Sequence, residues 1–312
     1  MSRTTSNSRR SNPRGQARQT TAAQNAPIVV SARWLITAIS LAIAGAALCG
    51  WATLCLLFWQ GHWQLLYHPR SAVLRTPASV GLAFDSVQFA ANSASHAQLH
   101  GWWIPYGSNS PYTLMYLHGA NGNIGDTVDE LIPLRATHAN ILTFDYRGYG
   151  MSHFEHPSES RMRADAESAI SYLTATRHIP AGALVLAGKD LGANLALEVA
   201  AAHPELAGVV LDNPLEAPMD PIFNDPRSRI VPARFLVRDR WDSDAAATNL
   251  LVPSLWFCWT ASSGSPQDEP LAYQKVVARK TLVWLTGSSA SKQQYSQALS
   301  RWLDDLRPHA AA

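Results

Sequence analysis

Acidic side chains are missing from the start of this chain. No Asp or Glu precedes Asp85, while the same stretch carries eight arginines. The other 17 basic residues face 23 acidic ones, so the body is mildly acidic. That balance argues against nucleic acid as a partner. Cysteine is scarce too. Cys49 and Cys55 lie in an apolar run and Cys258 in a predicted strand, which gives neither a disulfide framework nor a metal-ligand spacing. No metal and no cofactor are expected. Charged residues are only 15% of the 312, against 47% hydrophobic, so a core can be buried and global disorder is excluded.

Residues 1–32 are rich in Ser, Thr, Asn and Gln and carry Arg3, Arg9, Arg10, Arg14 and Arg18, which predicts a disordered basic arm. From Trp34 to Trp59 there is no charge, and Trp34, Trp59, Trp63 and Tyr67 bracket the run as interfacial aromatics do. The run is long enough to cross a hydrocarbon core of roughly 30 Å and exceeds the apolar stretch of a cleaved signal peptide. An uncleaved anchor over 33–60 is therefore expected. The arginines before it place the N-terminus in the cytoplasm and the domain of residues 61–312 across the membrane.

Beyond the anchor, strand and helix patterns alternate. Ser86–Ala90 and Gln98–Ile104 read as antiparallel opening strands. Tyr112–Leu117, Asn140–Phe144, Leu184–Ala187, Gly208–Leu211, Ser254–Trp259 and Thr281–Leu285 follow as strands. Helices are predicted near Thr127–Arg135, Ser158–Thr174, Gly192–Ala202 and Lys292–Leu306. Such alternation implies an α/β fold with a mostly parallel, doubly wound sheet. The stretch 213–249, rich in Pro, Arg and Asp, is the expected insertion over the C-terminal edge of that sheet, where ligands bind.

Gly188-Lys189-Asp190-Leu191-Gly192 lies between a strand and an alanine-rich helix, in the form of a G-x-S-x-G nucleophile elbow with aspartate for serine. Three other stretches join it. They are His118-Gly119-Ala120-Asn121-Gly122-Asn123, the run Asp145 to Ser152 (DYRGYGMS) with Pro157-Ser158-Glu159, and Arg240-Trp241-Asp242-Ser243. With Leu65-Leu66-Tyr67-His68-Pro69 they resemble the membrane-anchored α/β-hydrolases related to serine aminopeptidases. The resemblance runs from about Leu65 to Leu306. It implies an α/β-hydrolase fold preceded by one transmembrane helix, and a Ser–His–acid site with backbone N–H groups stabilising an oxyanion.

Carried over position by position, the resemblance puts Asp190 at the nucleophile, Ser262 at the acid and Ala290 at the base. All three members of the triad are substituted. The oxyanion amides map to Ala120 and Leu191. Dehalogenases and epoxide hydrolases of the same superfamily use an elbow aspartate as nucleophile, but they need a histidine to activate water. After the elbow only His203 and His309 remain, neither in the base loop. His118 is an auxiliary candidate, either fixing its loop through backbone hydrogen bonds or pairing with Asp190. Asp212 ends the sixth strand, where some relatives keep an acid, but it has no histidine to orient. Asp145 and Arg147 are expected to form an ion pair. Trp256 is expected in the core, and Trp259 is a candidate to fill the emptied acid loop.

The expected function is a membrane-anchored, non-catalytic binding or scaffold protein, a pseudoenzyme. The alternative is an active hydrolase of ester, amide, alkyl-halide or epoxide bonds that uses Asp190 and a base the sequence does not place. A third idea is an acyl or lipid carrier. The membrane is the expected partner, with a small apolar or acyl ligand or another protein as further candidates.

Overall fold

The computed structural model describes residues 30–91, 96–107, 110–260, 268–286 and 290–306. Residues 1–50 and 51–312 form separate compact units. The described part of the first is almost wholly helical and exposed, the beginning of helix α1 (Ala32–Gly61). By length and composition α1 can cross a bilayer.

The second unit opens with the last turns of α1 and a two-residue strand β1 (His68–Pro69). Strands β2 (Asp85–Ala90), β3 (Gln98–Ile104), β4 (Thr113–Leu117) and the short β5 (Asn121–Gly122) precede helix α2 (Val128–Arg135). Then come β6 (Asn140–Phe144), α3 (Glu159–Ser171), β7 (Leu184–Lys189), α4 (Leu191–Ala202) and β8 (Gly208–Asp212). The stretch 213–249 holds two single helical turns, α5 (Asp220–Phe223) and α6 (Ala233–Leu236), and the longer α7 (Ser243–Asn249). Strand β9 (Ser254–Thr260), α8 (Leu271–Lys275), β10 (Lys280–Thr286) and α9 (Ala290–Leu306) complete the described chain.

Eight strands form one sheet in the order β10-β9-β8-β7-β4-β6-β3-β2. Only β3 runs against its neighbours. The alternation of side chains divides the core in two. Met115, Leu117, Leu142, Leu184, Leu186, Val209 and Leu211 meet α3, α4 and α7, whereas Leu114, Tyr116, Ile141, Val185, Ala187 and Val210 face the side of α2 and α9. Both faces are covered, which is why β4 and β8 are buried from end to end and β7 up to Lys189. On α9, Tyr295, Leu299 and Trp302 are buried at helical spacing.

The chain leaves β4 for β6 on one side and later enters β7 on the other, so the order reverses at β4. The loops after β4 and β7 therefore meet at the crevice where such sheets bind ligands.

Candidate functional site

Asp190 is the first residue past β7, with φ +50° and ψ −124°. A side chain so placed is strained, and the surroundings impose it. A Cβ on Gly192 would run into the carbonyl oxygens of Leu117 and His118, and one on Gly188 into the backbone of Gly192. The two glycines let β7, β4 and α4 approach closely, and the sharp turn between them lifts the middle side chain. The Asp190 carboxylate accepts one hydrogen bond, from Asn213 Nδ2 at 3.1 Å, and its backbone N–H donates to the Asp212 carbonyl at 2.9 Å.

Facing the elbow is the loop His118–Asn123, which the other motifs brace. Tyr146 and Tyr149 donate their hydroxyls to the carbonyls of His118 and Ala120, both at 2.9 Å. The pairing of β1 with β5 clamps the far side of the loop, helped by His68 Nδ1 and Asn121 Oδ1 at 2.8 Å. Asn123 accepts from Gly125 N–H and donates to the carbonyls of Arg70 and Ala72. Asp145 accepts from Ile124 N–H at 2.9 Å. Gly150 lies against that carboxylate at φ +48°, where a Cβ would clash. Neither the Ala120 nor the Leu191 N–H donates to another protein group among the described residues.

His118 does not pair with Asp190. The ring is fully buried, and Nδ1 donates to the Gly119 carbonyl at 2.8 Å, the loop-fixing role. That bond leaves Nε2 without a hydrogen, 3.8 Å from Asp145 Oδ1 and with no hydrogen bond. Burial pushes the imidazole down to about 4 and the Asp145 carboxyl up to about 7. A neutral, enclosed imidazole of this kind offers no base to the elbow.

The expected Asp145–Arg147 ion pair is also absent. Arg147 Nε binds Asp165 at 2.7 Å and its Nη1 binds Glu155 at 2.9 Å. Both residues lie past the end of β6, where strand alternation no longer sets side-chain direction: Asp145 turns to the loop and Arg147 to α3. This pairing is what a reading of adjacent charges misses.

Asp212 is not idle. Its carboxylate accepts from Trp259 Nε1 at 2.7 Å. Burial pushes its pKa up to about 6, against the Trp259 bond and Lys189, with Asp190 and Glu130 adding to the rise. Trp259 thus lies near the end of β9 with a definite partner, and the loop that it was expected to fill begins at residue 261, outside the described residues. Trp256 is fully buried and donates to Ser254 Oγ at 2.9 Å, as a core residue does. Ser262 lies outside the described residues, as do Gly287, Ser288 and Ser289, and Ala290 is the first residue of α9.

Sequence reasoning missed Asn213, Lys189 and Asn194. Lys189 Nζ pairs with Glu130 on α2 at 2.7 Å. Asn194, fully buried on α4, holds the stretch after β8 by donating to the Leu215 carbonyl and Ser243 Oγ and accepting from Leu215 N–H. Its place four residues past Asp190, on the buried helix face, was the available signal. Tyr116, Glu130, Lys189, Asp212, Trp259 and Tyr295 surround a cavity of about 100 Å³ beside the elbow. That is room for about three waters, below the roughly 300 Å³ where ligand pockets begin.

A family model described as "alpha/beta hydrolase fold" matches residues 112–305, more than half the chain. The chain belongs to that family. It is 29% identical over 226 residues to the uncharacterized protein YfhR of Salmonella typhi, covering 66% of this chain and 73% of the relative. An uncharacterized membrane protein of Saccharomyces cerevisiae is 33% identical over 140 residues, 44% of this chain and 48% of the relative. Alpha/beta hydrolase domain-containing protein 17C of Mus musculus is 29% identical over 145 residues, 46% and 45% of the two chains. Apart from the first, the chain spans about half the length of these curated relatives. Among solved structures, the Pyrococcus furiosus esterase Pf2001 superposes with a TM-score of 0.59 at 17% identity, over 77% of this chain and 98% of that one. At that identity the likeness concerns the fold.

Proposed function

We propose that this chain is a membrane-anchored α/β-hydrolase-fold protein that acts by binding or as a scaffold, without catalysis. The observation that carries the reading is the surroundings of Asp190. The carboxylate meets an amide, Asn213, and among the described residues no imidazole bonds to it. An ester formed on Asp190 would need water activated by a base, and the one histidine of the facing loop is buried, neutral and directed at Asp145. The sequence adds Ser262 at the acid position and Ala290 at the base position. The small cavity beside the elbow supports the same reading. The amides of Ala120 and Leu191 are kept as parts of the fold.

In this reading residues 1–32 are the basic arm and 33–60 the anchor. Residues 61–312 are the folded domain, with 213–249 its insertion, and the N-terminus is cytoplasmic with the domain on the other side. The branch related to serine aminopeptidases is the proposed origin.

One observation favours the rival, an active hydrolase using Asp190: the elbow keeps its strained turn, and strain gathers at working sites. Yet the close approach of Gly188 and Gly192 requires that turn whatever side chain sits on it. The full-length protein treated with a serine-directed fluorophosphonate should remain unlabelled. Stoichiometric labelling mapped to Ser262, Ser288 or Ser289 would overturn the proposal.

A further inference from the structure

The last turns of α1, from Trp51 onward, lie within the body and against its insertion. The Trp51 indole donates to the Ile230 carbonyl at 3.0 Å. Between the two segments runs a slot of about 280 Å³ whose walls include Leu54, Leu57, Phe58, Leu65, Ile230 and Val231. Leu57 is 59% exposed and Ile230 60%, and Phe235 at the next turn of the insertion is 90% exposed. Exposed apolar side chains of this size, contiguous with a helix able to span a bilayer, suit hydrocarbon rather than water.

The slot has a polar continuation. His62 and Gln64, just after α1, line both the slot and an open groove of about 780 Å³ that also holds His156, Arg161 and Arg238, together with Asp239, which is buried and accepts from the Tyr67 hydroxyl. Arg161 is engaged by Glu155 and the His156 carbonyl. Arg238 is exposed and has no ion pair among the described residues. The segment 226–238 carries Arg227, Arg229, Arg234 and Arg238 and no acid, although 213–249 as a whole is not basic, so the positive charge is local to this segment and favours an anion there. An apolar slot that leads into a cationic groove, beside a spanning helix, has the polarity of a phospholipid.

We infer that the end of α1 and the 226–238 segment form a site for one anionic phospholipid of the surrounding membrane. An acyl chain lies against Leu57 and Ile230, and the headgroup phosphate meets Arg238. The inference rests on the membrane-anchored reading and is independent of the elbow's chemistry. It gives the binding role a ligand class and a place away from Asp190.

The test uses the full chain in nanodiscs of equal dioleoylphosphatidylglycerol and dioleoylphosphatidylcholine, released for native mass spectrometry. One phosphatidylglycerol should be retained in preference to phosphatidylcholine. Arg238→Gln, on the surface and safe for folding, should lower that preference about fivefold, the effect of one cation at an anionic headgroup. Ile230→Asp should reduce retention of both lipids. Excess inorganic phosphate should displace neither. Equal retention of the two lipids, an unchanged preference in Arg238→Gln, displacement by phosphate, or a copurifying peptide in the slot would each overturn the inference. Extraction of the chain by carbonate would instead refute the anchor, so the two failures are distinguishable.

Discussion

Replacement of Asp190 by Asn, Ala and Gly separates strain from chemistry. The φ of +50° costs about 1–3 kcal/mol at a residue with a side chain. The half-buried carboxylate recovers about 1 kcal/mol through Asn213. Asp190→Asn keeps the strain and the accepting oxygen while removing a negative charge that acts on Asp212. It should therefore be neutral to about 1 kcal/mol more stable. Asp190→Ala keeps the strain and loses the bond, for a loss of about 1 kcal/mol. Asp190→Gly loses the bond as well but releases the strain, less about 0.5–1 kcal/mol for the freer unfolded chain, so it should exceed Ala by about 0–2.5 kcal/mol. In a domain of this size 1 kcal/mol moves Tm by about 2–4 °C, which tryptophan fluorescence melts of the detergent-solubilised chain resolve. Alanine more stable than glycine by about 0.5–1 kcal/mol would show that the turn is not strained. The same proteins go to a panel of aryl esters, epoxides and haloalkanes, where all should be silent. Turnover by the wild type that disappears in Asp190→Asn would refute the non-catalytic reading, whatever the melts show.

Further outcomes follow from other contacts. Asp190→Ser alone should remain inactive on aryl esters, whereas adding Ser262→Asp and Ala290→His should restore weak turnover; activity in the single variant would reveal an unrecognised base. Tyr67 donates to Asp239 at 2.5 Å and accepts from Trp241 at 3.0 Å inside the body, so Tyr67→Phe should cost about 1–3 kcal/mol, and an unchanged Tm would refute that bond's importance. Burial pushes Glu198 up to about 7 despite its bond to Arg163. A carboxyl raised on folding binds its proton better in the folded state, so this contribution is greatest below the unfolded value and is lost as pH rises through about 7. Glu198→Gln should accordingly reduce the fall in unfolding free energy between pH 5 and 8 by roughly 1–3 kcal/mol, read from denaturant melts, and a slope equal to wild type would contradict the assignment. Reporter fusions after Ala26 should read cytoplasmic and those after Ala312 the opposite side; a cytoplasmic reading at Ala312 would overturn the topology.

Local patterning alone was enough for the repeating elements and the elbow. Spans such as Gln98–Ile104 and Asn140–Phe144 coincide with β3 and β6, because their bounds are local: an apolar run of strand length ended by a turn residue. Gly188 and Gly192 were equally legible, since only glycine permits the approach of strand and helix. The length and lack of charge of α1 can likewise be read without a fold. Tertiary structure alone decided the partners of polar side chains. Arg147 passes over its near neighbour Asp145 for Asp165, eighteen positions away, and His118 turns from Asp190 toward Asp145. Asp212 finds Trp259 across the sheet, and Asp190 finds Asn213 from the next strand's end. A side chain's residue type states which bonds it can make, but the choice among partners depends on which strand ends and loops are brought within about 3 Å, and that is a property of the packed sheet.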